Sequence, residues 1–213
     1  MFGISSCYGS AEQLVNDDTV QAVYVASPHN AHYEQALLAI NAGKHVLVEK
    51  AFTENAVQAR QLVEAATAAG VTLMEAMWTR FLPGMDVVRQ LIADGALGDI
   101  CTVIADHGQH FDFDPAHRLF SPALAGGALL DLGVYPISFA SFVLGTPDAI
   151  VAVGHRTVTG VDAQVSAVLR YSGAHALVNT TLLARTPTTA TISGVSGRIE
   201  IGQYLNGLSE SPS

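Results

Sequence analysis

Val46-Leu47-Val48-Glu49-Lys50 joins the end of an apolar, strand-forming run to two charged side chains. A similar run, Val23 to Ala26, precedes it, and the intervening Asn30 to Ala42 has helical spacing and is followed by Gly43, a frequent helix terminator. Strand, helix and parallel strand form a βαβ unit, in which ligands bind beyond the carboxyl ends of the strands. Lys50 lies at such an end, so we take it as the first candidate functional residue. A single loop lysine is more often a solvated surface group, so the other motifs must support this assignment.

The composition is that of a folded protein that handles small molecules. The 213 residues are 49% hydrophobic and 14% charged, which is too apolar for a disordered chain. The net charge is −9 and the basic residues are scattered, so nucleic acid is not an expected partner. Apolar stretches are interrupted before the roughly 18 residues that a membrane helix needs. The first residues also lack the regions of a secretory signal, so we expect no membrane partner and a cytoplasmic location.

The pattern of apolar residues changes along the chain. Helical spacing over Asn55 to Ala69 leads into another strand-like run, Val71 to Met74, and from Ile100 apolar and polar residues alternate in several short segments. The sequence therefore predicts an α/β protein with an incomplete Rossmann-type parallel sheet followed by an antiparallel α+β sheet domain. We assign residues 1–81 to a truncated dinucleotide-binding domain and residues 82–213 to a substrate or dimerisation domain, truncated at its end. The strands predicted for the second domain are Ile100–His110, Ala149–Thr157, Ala163–Tyr171, Ala174–Leu182, Thr188–Ile192 and Arg198–Ile201.

A second informative stretch runs from Gly126 to Pro136 and reads GGALLDLGVYP. Its two leading glycines let the backbone approach another group closely. Asp131 and Tyr135 are four residues apart on one helical face, so a carboxylate and a phenol point the same way. An ordinary polar contact is the commoner explanation for such a pair.

Taken together, these stretches resemble the Gfo/Idh/MocA oxidoreductases. The resemblance covers about Phe2 to Gly202 and is carried by Val23–His29 with His32, Ala42–Lys50, Glu75–Pro83 and Gly126–Pro136. The third of these segments, EAMWTRFLP, is similar to the branch that contains dimeric dihydrodiol dehydrogenase and related sugar dehydrogenases. The family's first βα units and the last part of its C-terminal domain have no counterpart here.

The resemblance implies roles for the matching residues. The catalytic candidates are Lys50, Asp131 and Tyr135, which are expected to act at one site. The cofactor-binding candidates are Ser27, Pro28, His29, His32, Glu49 and Lys50. Weaker candidates for the substrate wall, for which packing and surface ion pairing are the commoner roles, are Trp78, Arg80 and Arg118. A phenol, with an ordinary pKa of about 10, exchanges a proton near neutral pH more readily beside a cation such as Lys50.

Two local features depart from a simple assignment. Lys50 is followed by Ala51 where the family usually has proline, which leaves open any geometry that a proline ring imposes on the lysine. Asp106 to His110, with Asp112 and Asp114, has the residue types of a metal site. His107 and His110 nevertheless face opposite sides of a strand, so no metal site is predicted and this segment is expected to edge the substrate pocket.

The resemblance implies an NAD(P)-dependent oxidoreductase that acts on a CH–OH group of a sugar, polyol or cyclic diol, and a homodimer formed through the C-terminal sheet. The sequence contains no GxGxxG turn, which normally supplies the pyrophosphate site. We therefore expect weak binding of NAD or NADP by this chain, and the choice between the two cofactors is open. The alternative is a catalytically silent fragment or a binding protein, so whether the chain is an enzyme is left open.

Overall fold

The computed structural model describes residues 6–202, which divide into two compact units between Ala76 and Met77. The polar tail from Asn206 to Ser213, expected from the sequence to fray, lies outside the described residues. The boundary between the units falls just before the segment that contains Trp78.

The first unit is a parallel three-stranded sheet with its helices. Its elements are α1 (Ala11–Val15), β1 (Ala22–Val25), α2 (His29–Asn41), β2 (His45–Val48), α3 (Ala56–Ala69) and β3 (Leu73–Glu75). The strand order is β1-β2-β3 and both pairings are parallel, which confirms the predicted βαβ unit. The core of this unit contains Ile40 from α2, Val48 from β2 and Leu62 from α3, all fully buried.

The third strand begins two residues later than predicted because Gly70 and Val71 cap the C-terminal end of α3. Gly70 adopts the left-handed conformation with φ 67°, and the Val71 N–H donates to the carbonyl oxygen of Ala66. This is the usual way in which a glycine terminates a helix. The strand register starts with the pair Val46 and Leu73.

The second unit is a six-stranded sheet with two α-helices. A 3-10 turn, Trp78–Phe81, precedes α4 (Pro83–Ala93). The remaining regular elements are β4 (Ile100–Gly108), α5 (Val134–Leu144), β5 (Ala149–Arg156), β6 (Asp162–Tyr171), β7 (Ala174–Thr181), β8 (Ala190–Gly194) and β9 (Arg198–Ile201). One face of the sheet packs on a core that includes Val103, Phe139 and Ile192.

The sheet of the second unit is mixed, not purely antiparallel as predicted. Its order is β5-β6-β7-β4-β8-β9, and β4 runs parallel to β7 whereas the other four pairings are antiparallel. Alternation of apolar and polar residues reports that one face of a strand is covered. It carries no information about the direction of a neighbouring strand, which explains the difference.

The segment Pro122–Leu144 has the length and composition of a membrane-spanning helix, contrary to the expectation that no stretch reaches that length. It contains 23 residues with a mean hydropathy of 1.6, and half of its most apolar window is buried in the fold. The segment consists of successive 3-10, π and α turns and has the buried carboxyl of Asp131 near its middle. Tyr135 and Phe139 pack in the core of the second unit. These properties are those of a core helix, because a carboxylate in a lipid interior is costly.

Candidate active site

A buried histidine and a partly buried glutamate fix the backbone at the carboxyl edge of the parallel sheet. His32 in α2 is fully buried, with Nδ1 2.7 Å from the carbonyl oxygen of Ala51 and Nε2 2.8 Å from that of Ser27. The carboxylate of Glu75, at the end of β3, accepts a hydrogen bond of 2.9 Å from the N–H of Phe52. These contacts tie the segment after β2, which carries Lys50, to the turn after β1 and to β3. His32 thus fixes the backbone around the predicted cofactor positions.

Lys50 directly follows the partly buried Glu49 at this edge. The Glu49 carboxylate accepts hydrogen bonds from the phenol of Tyr24 and, at 3.1 Å, from the N–H of Lys50. The hydrogen bond to Glu49 raises the pKa of the Tyr24 phenol. The Lys50–Ala51 peptide bond is cis. Lys50 is itself half-buried and lies just beyond the carboxyl end of β2.

The turn after β1 contains a polar atom that suits a ligand. The Ser27 hydroxyl oxygen is buried and has no hydrogen-bond partner among residues 6–202. Buried polar groups are normally hydrogen-bonded, so an unpaired hydroxyl in this turn fits a contact with a polar group of a bound dinucleotide. Pro28 and the buried His29 begin α2 immediately after this serine.

In the second unit, Asp131 is paired with Arg118. Asp131 lies in the π-helical turn Leu129–Gly133, is 4% exposed, and accepts a hydrogen bond of 3.0 Å from Arg118 Nη1. A buried carboxylate is costly unless it is paired, and the half-exposed guanidinium offsets that cost. Arg118, predicted as part of a substrate wall, thus holds the Asp131 carboxylate.

The glycine pair before this turn permits the close backbone approach that the sequence predicts. A Cβ on Gly126 would lie 2.5 Å from the carbonyl oxygen of Leu119 and 2.6 Å from that of Arg118. Gly127 adopts a φ of 117°, which an L side chain rarely takes. The close approach brings the segment that carries Arg118 against the start of the turn that carries Asp131.

Tyr135, the second residue of α5, is buried between two other rings. The indole N–H of Trp78 donates to Tyr135 Oη at 3.3 Å, and the two ring centroids are 6.3 Å apart at 70°. The imidazole of His107 lies 5.2 Å from the Tyr135 ring at 65°. Edge-to-face ring pairs of this kind are attractive and set the orientation of the rings. Trp78, assigned from the sequence to a substrate wall, is therefore a direct partner of the candidate phenol.

The other candidates from the second half of the sequence have defined partners. Arg80 donates through Nε to Ser138 Oγ at 2.9 Å and through Nη2 to the Ser138 carbonyl oxygen at 3.2 Å, which fixes the 3-10 turn against α5. His110 is exposed, with Nδ1 3.0 Å from the Leu183 carbonyl oxygen, and its Nε2 is 3.4 Å from Asp112. Within residues 6–202 no three metal-ligating side chains form a cluster.

The sequence reasoning missed the pairing of His107 with Tyr135. His107 entered only as one of several metal-type residues, and its strand parity was used to separate it from His110. The same parity places His107 on the buried face, since Val103 and Ala105 are also buried. The signal available in the sequence was a histidine at a position of β4 that alternation places on the buried face.

Comparison with known proteins defines the class. Residues 1–77 match the oxidoreductase family with an NAD-binding Rossmann fold, and residues 85–200 match the GFO/IDH/MocA C-terminal domain. These two domains are those of the NAD(P)-binding oxidoreductases. The chain belongs to the GFO/IDH/MocA family, as the resemblance of its motifs implied.

Several relatives are dehydrogenases of diols and sugars. Trans-1,2-dihydrobenzene-1,2-diol dehydrogenase of Mus musculus is 40% identical over 203 residues, which cover 94% of this chain and 60% of the relative. D-xylose 1-dehydrogenase (NADP(+)) of Hypocrea jecorina is 43% identical over 180 residues, which cover 77% of this chain and 46% of the relative. The chain spans about 60% of the length of the dihydrodiol dehydrogenases that it matches.

Solved structures of similar fold include two sugar oxidoreductases. The aldose-aldose oxidoreductase from Caulobacter crescentus, complexed with glycerol, matches with a TM-score of 0.86 and 29% identity over 93% of this chain and 61% of its own. Levoglucosan dehydrogenase, in complex with NADH and levoglucosan, matches with a TM-score of 0.85 and 25% identity. The match covers 92% of this chain and 57% of that protein's own chain. Both likenesses support the α/β assignment with a Rossmann-like first part.

Proposed function

We propose that the chain forms all or part of an NAD(P)-dependent oxidoreductase that acts on a CH–OH group of a sugar, polyol or cyclic diol. Lys50, Asp131 and Tyr135 act on the same substrate in this proposal. The observation that carries it is the pair of buried groups in the second unit: the phenol of Tyr135, held by Trp78, and the carboxylate of Asp131, held by Arg118. The dehydrogenases of diols and sugars among the relatives support the substrate class.

Each residue has a separate role in the reaction of the substrate hydroxyl group. A bound nicotinamide supplies the acceptor for the hydride that leaves the substrate carbon. The hydroxyl proton passes either to the deprotonated phenol of Tyr135, in which case the ammonium of Lys50 stabilises negative charge on oxygen, or to the neutral amine of Lys50. The indole N–H of Trp78, which already donates to Tyr135 Oη, stabilises negative charge on that phenol oxygen. Asp131 orients a substrate hydroxyl.

The residues of the first unit fit one end of a dinucleotide. The unpaired Ser27 hydroxyl, Pro28, His29, Glu49 and Lys50 would contact it at the carboxyl edge of β1 and β2, while His32 keeps the two turns in place. No Gly-rich turn for a pyrophosphate occurs in the 213 residues, so we propose weak binding.

The same missing turn favours a second candidate function, a catalytically silent or purely binding protein. Titration of the chain with NADH and with NADPH, followed by cofactor fluorescence, separates the two candidates. The oxidoreductase proposal expects saturable but weak binding and slow reduction of NAD(P) in the presence of a polyol. Binding in the micromolar range would contradict the expected weakness and strengthen the assignment as an enzyme. No binding of either cofactor would favour the silent protein.

We also propose a homodimer formed through the open face of the six-stranded sheet. Four exposed apolar residues lie side by side across neighbouring strands in the order Val151, Val168, Leu177 and Ile104, each paired in register with the next. Contiguous apolar patches of this kind usually mark an interaction surface. Sedimentation of the chain should give a dimer, and Val168→Glu should give a monomer. A monomer without any substitution would contradict this proposal.

A further inference from the structure

We infer that His107, held by Gln109, is a positioning residue that sets the position of the Tyr135 side chain. The inference deepens the proposed function, on which its catalytic meaning rests, but its geometry lies entirely within the second unit. His107 acts through Tyr135 and is not assigned any contact with substrate or cofactor.

His107 occupies a position where a hydrocarbon side chain would be the simpler choice. It lies near the end of β4 on the buried face of the sheet, is 5% exposed, and is paired in register with Thr180 of β7. The preceding residues on that face, Val103 and Ala105, are aliphatic and fully buried. A buried imidazole is costly unless its nitrogens are satisfied, so its presence indicates a polar requirement at this point.

The exposed Gln109 meets this requirement from the same strand end. Gln109 Nε2 lies 3.3 Å from His107 Nε2. The N–H of Gln109 donates to the carbonyl oxygen of Thr181, which anchors the glutamine to β7. Because the backbone of Gln109 is bound to β7, the contact of its side chain with His107 fixes the plane of the imidazole.

The fixed imidazole restricts the Tyr135 ring. The phenol oxygen of a tyrosine lies on the axis about which its ring turns, so the oxygen moves only when the whole side chain shifts. His107 contacts one part of the ring at 5.2 Å and 65°, and Trp78 contacts another at 6.3 Å and 70°. With both partners present, the side chain is held where its oxygen reaches the indole N–H. Without His107, the side chain shifts into the vacated space, which moves the phenol oxygen away from the indole and weakens that hydrogen bond.

The sequence provides a probe that reports this hydrogen bond directly. Trp78 is the single tryptophan of the chain, so its indole N–H gives one resolved resonance in a nitrogen-15 correlation spectrum. Tyr135→Phe removes the acceptor and defines the resonance position of an indole without this bond. Val103→Ala is the matched control, since it removes buried volume from the same face of β4 and leaves His107 and Gln109 in place.

The spectra of the uncomplexed chain test the inference. His107→Ala should move the Trp78 resonance most of the way to its position in Tyr135→Phe and should speed its exchange with solvent. His107→Phe, which keeps a ring, should move it less, and Gln109→Ala should move it part of the way in the same direction. Val103→Ala should leave the Trp78 resonance in place. It should do so even though it lowers the free energy of unfolding at least as much as His107→Ala does.

A Trp78 resonance that stays in place in both His107→Ala and Gln109→Ala would overturn the inference and leave His107 as an ordinary core residue. If His107→Ala does not fold, Gln109→Ala decides alone, because its side chain is exposed and its loss creates no cavity. None of these spectra requires cofactor or turnover. A failure here is thus distinguishable from a failure of the oxidoreductase proposal, which is judged by cofactor binding.

Discussion

The two units hold their candidate residues in different ways. In the first unit, polar side chains bind the backbone: the buried His32 faces two carbonyl oxygens, and the partly buried Glu75 accepts a hydrogen bond from a backbone N–H. In the second unit, side chain binds side chain: Arg118 pairs with Asp131, and Trp78 with Tyr135. The first arrangement fixes the course of the turns that carry the candidates. The second fixes the direction and charge of individual functional groups.

The difference separates effects on chemistry from effects on local structure. Substitution of the clamping residues in the first unit should change the stability of the turns, whereas substitution of the paired residues in the second should change the chemical groups themselves. Lys50 belongs to the first unit but is assigned a chemical role, so it provides the sharpest test of this division.

Lys50→Ala should have the largest effect. Loss of the ammonium removes charge stabilisation and a proton carrier, so turnover of a polyol with NADP should fall by about 10²- to 10⁴-fold. Lys44→Ala is the control in the same unit, because the Lys44 ammonium donates to the Asp17 carbonyl oxygen and has no assigned chemical role. Equal turnover in the wild type and Lys50→Ala would remove Lys50 from the mechanism.

His32→Phe should have the next largest effect and should act on structure. The ring size is kept, but the carbonyl oxygens of Ser27 and Ala51 lose their partner, at a cost of about 1–3 kcal/mol for each buried group left unpaired. Hydrogen exchange of the β2 amides should accelerate, and exchange in β7 of the second unit should stay unchanged. His155→Phe, on an exposed strand, is the control. Unaltered exchange in β2 would mean that the two contacts do not clamp the turns.

Arg118→Gln should destabilise the second unit by about 2 kcal/mol, below the range for a fully buried pair because the guanidinium is half-exposed. The cost arises because the Asp131 carboxylate stays buried without its cation. Asp131→Asn in the same background should recover part of the loss, since an amide carries no charge to compensate. Urea unfolding followed by Trp78 fluorescence measures both changes. A double variant less stable than Arg118→Gln would contradict the assigned pairing.

Asp106→Asn should have the smallest effect, and one that depends on pH. Burial acts to raise the pKa of Asp106, but hydrogen bonds from the N–H groups of Thr189 and Thr188 and from the Thr189 hydroxyl outweigh it and lower the pKa below its ordinary value. A carboxylate with a lowered folded pKa stabilises the fold above its unfolded pKa and loses that contribution as pH falls through the folded pKa. The substitution should cost about 1 kcal/mol at neutral pH and progressively less below about pH 4. A cost that does not change between neutral and acidic pH would exclude this origin.

Local patterns in the sequence predict most of the elements and of the chemistry. The periodicity around Val46 to Lys50 gives the parallel strands and the position of Lys50 after β2, and the glycines before Asp131 give the close backbone approach. Contacts between distant residues are not encoded in such patterns. Trp78 meets Tyr135 across 57 positions, and β4 joins β7 in parallel through a register that alternation does not report. Likewise, only the folded sheet brings His107 to the phenol of Tyr135.

A double-substitution cycle on Lys50 and Tyr135 tests most directly whether residues from the two units act on one substrate. Turnover of NADP with a polyol is measured for the wild type, Lys50→Ala, Tyr135→Phe and the double variant. If the two groups handle one proton, the double variant should lose about as much as the more damaging single change, because groups that act as a unit are strongly non-additive. Losses that multiply, as for independent sites, would contradict the account.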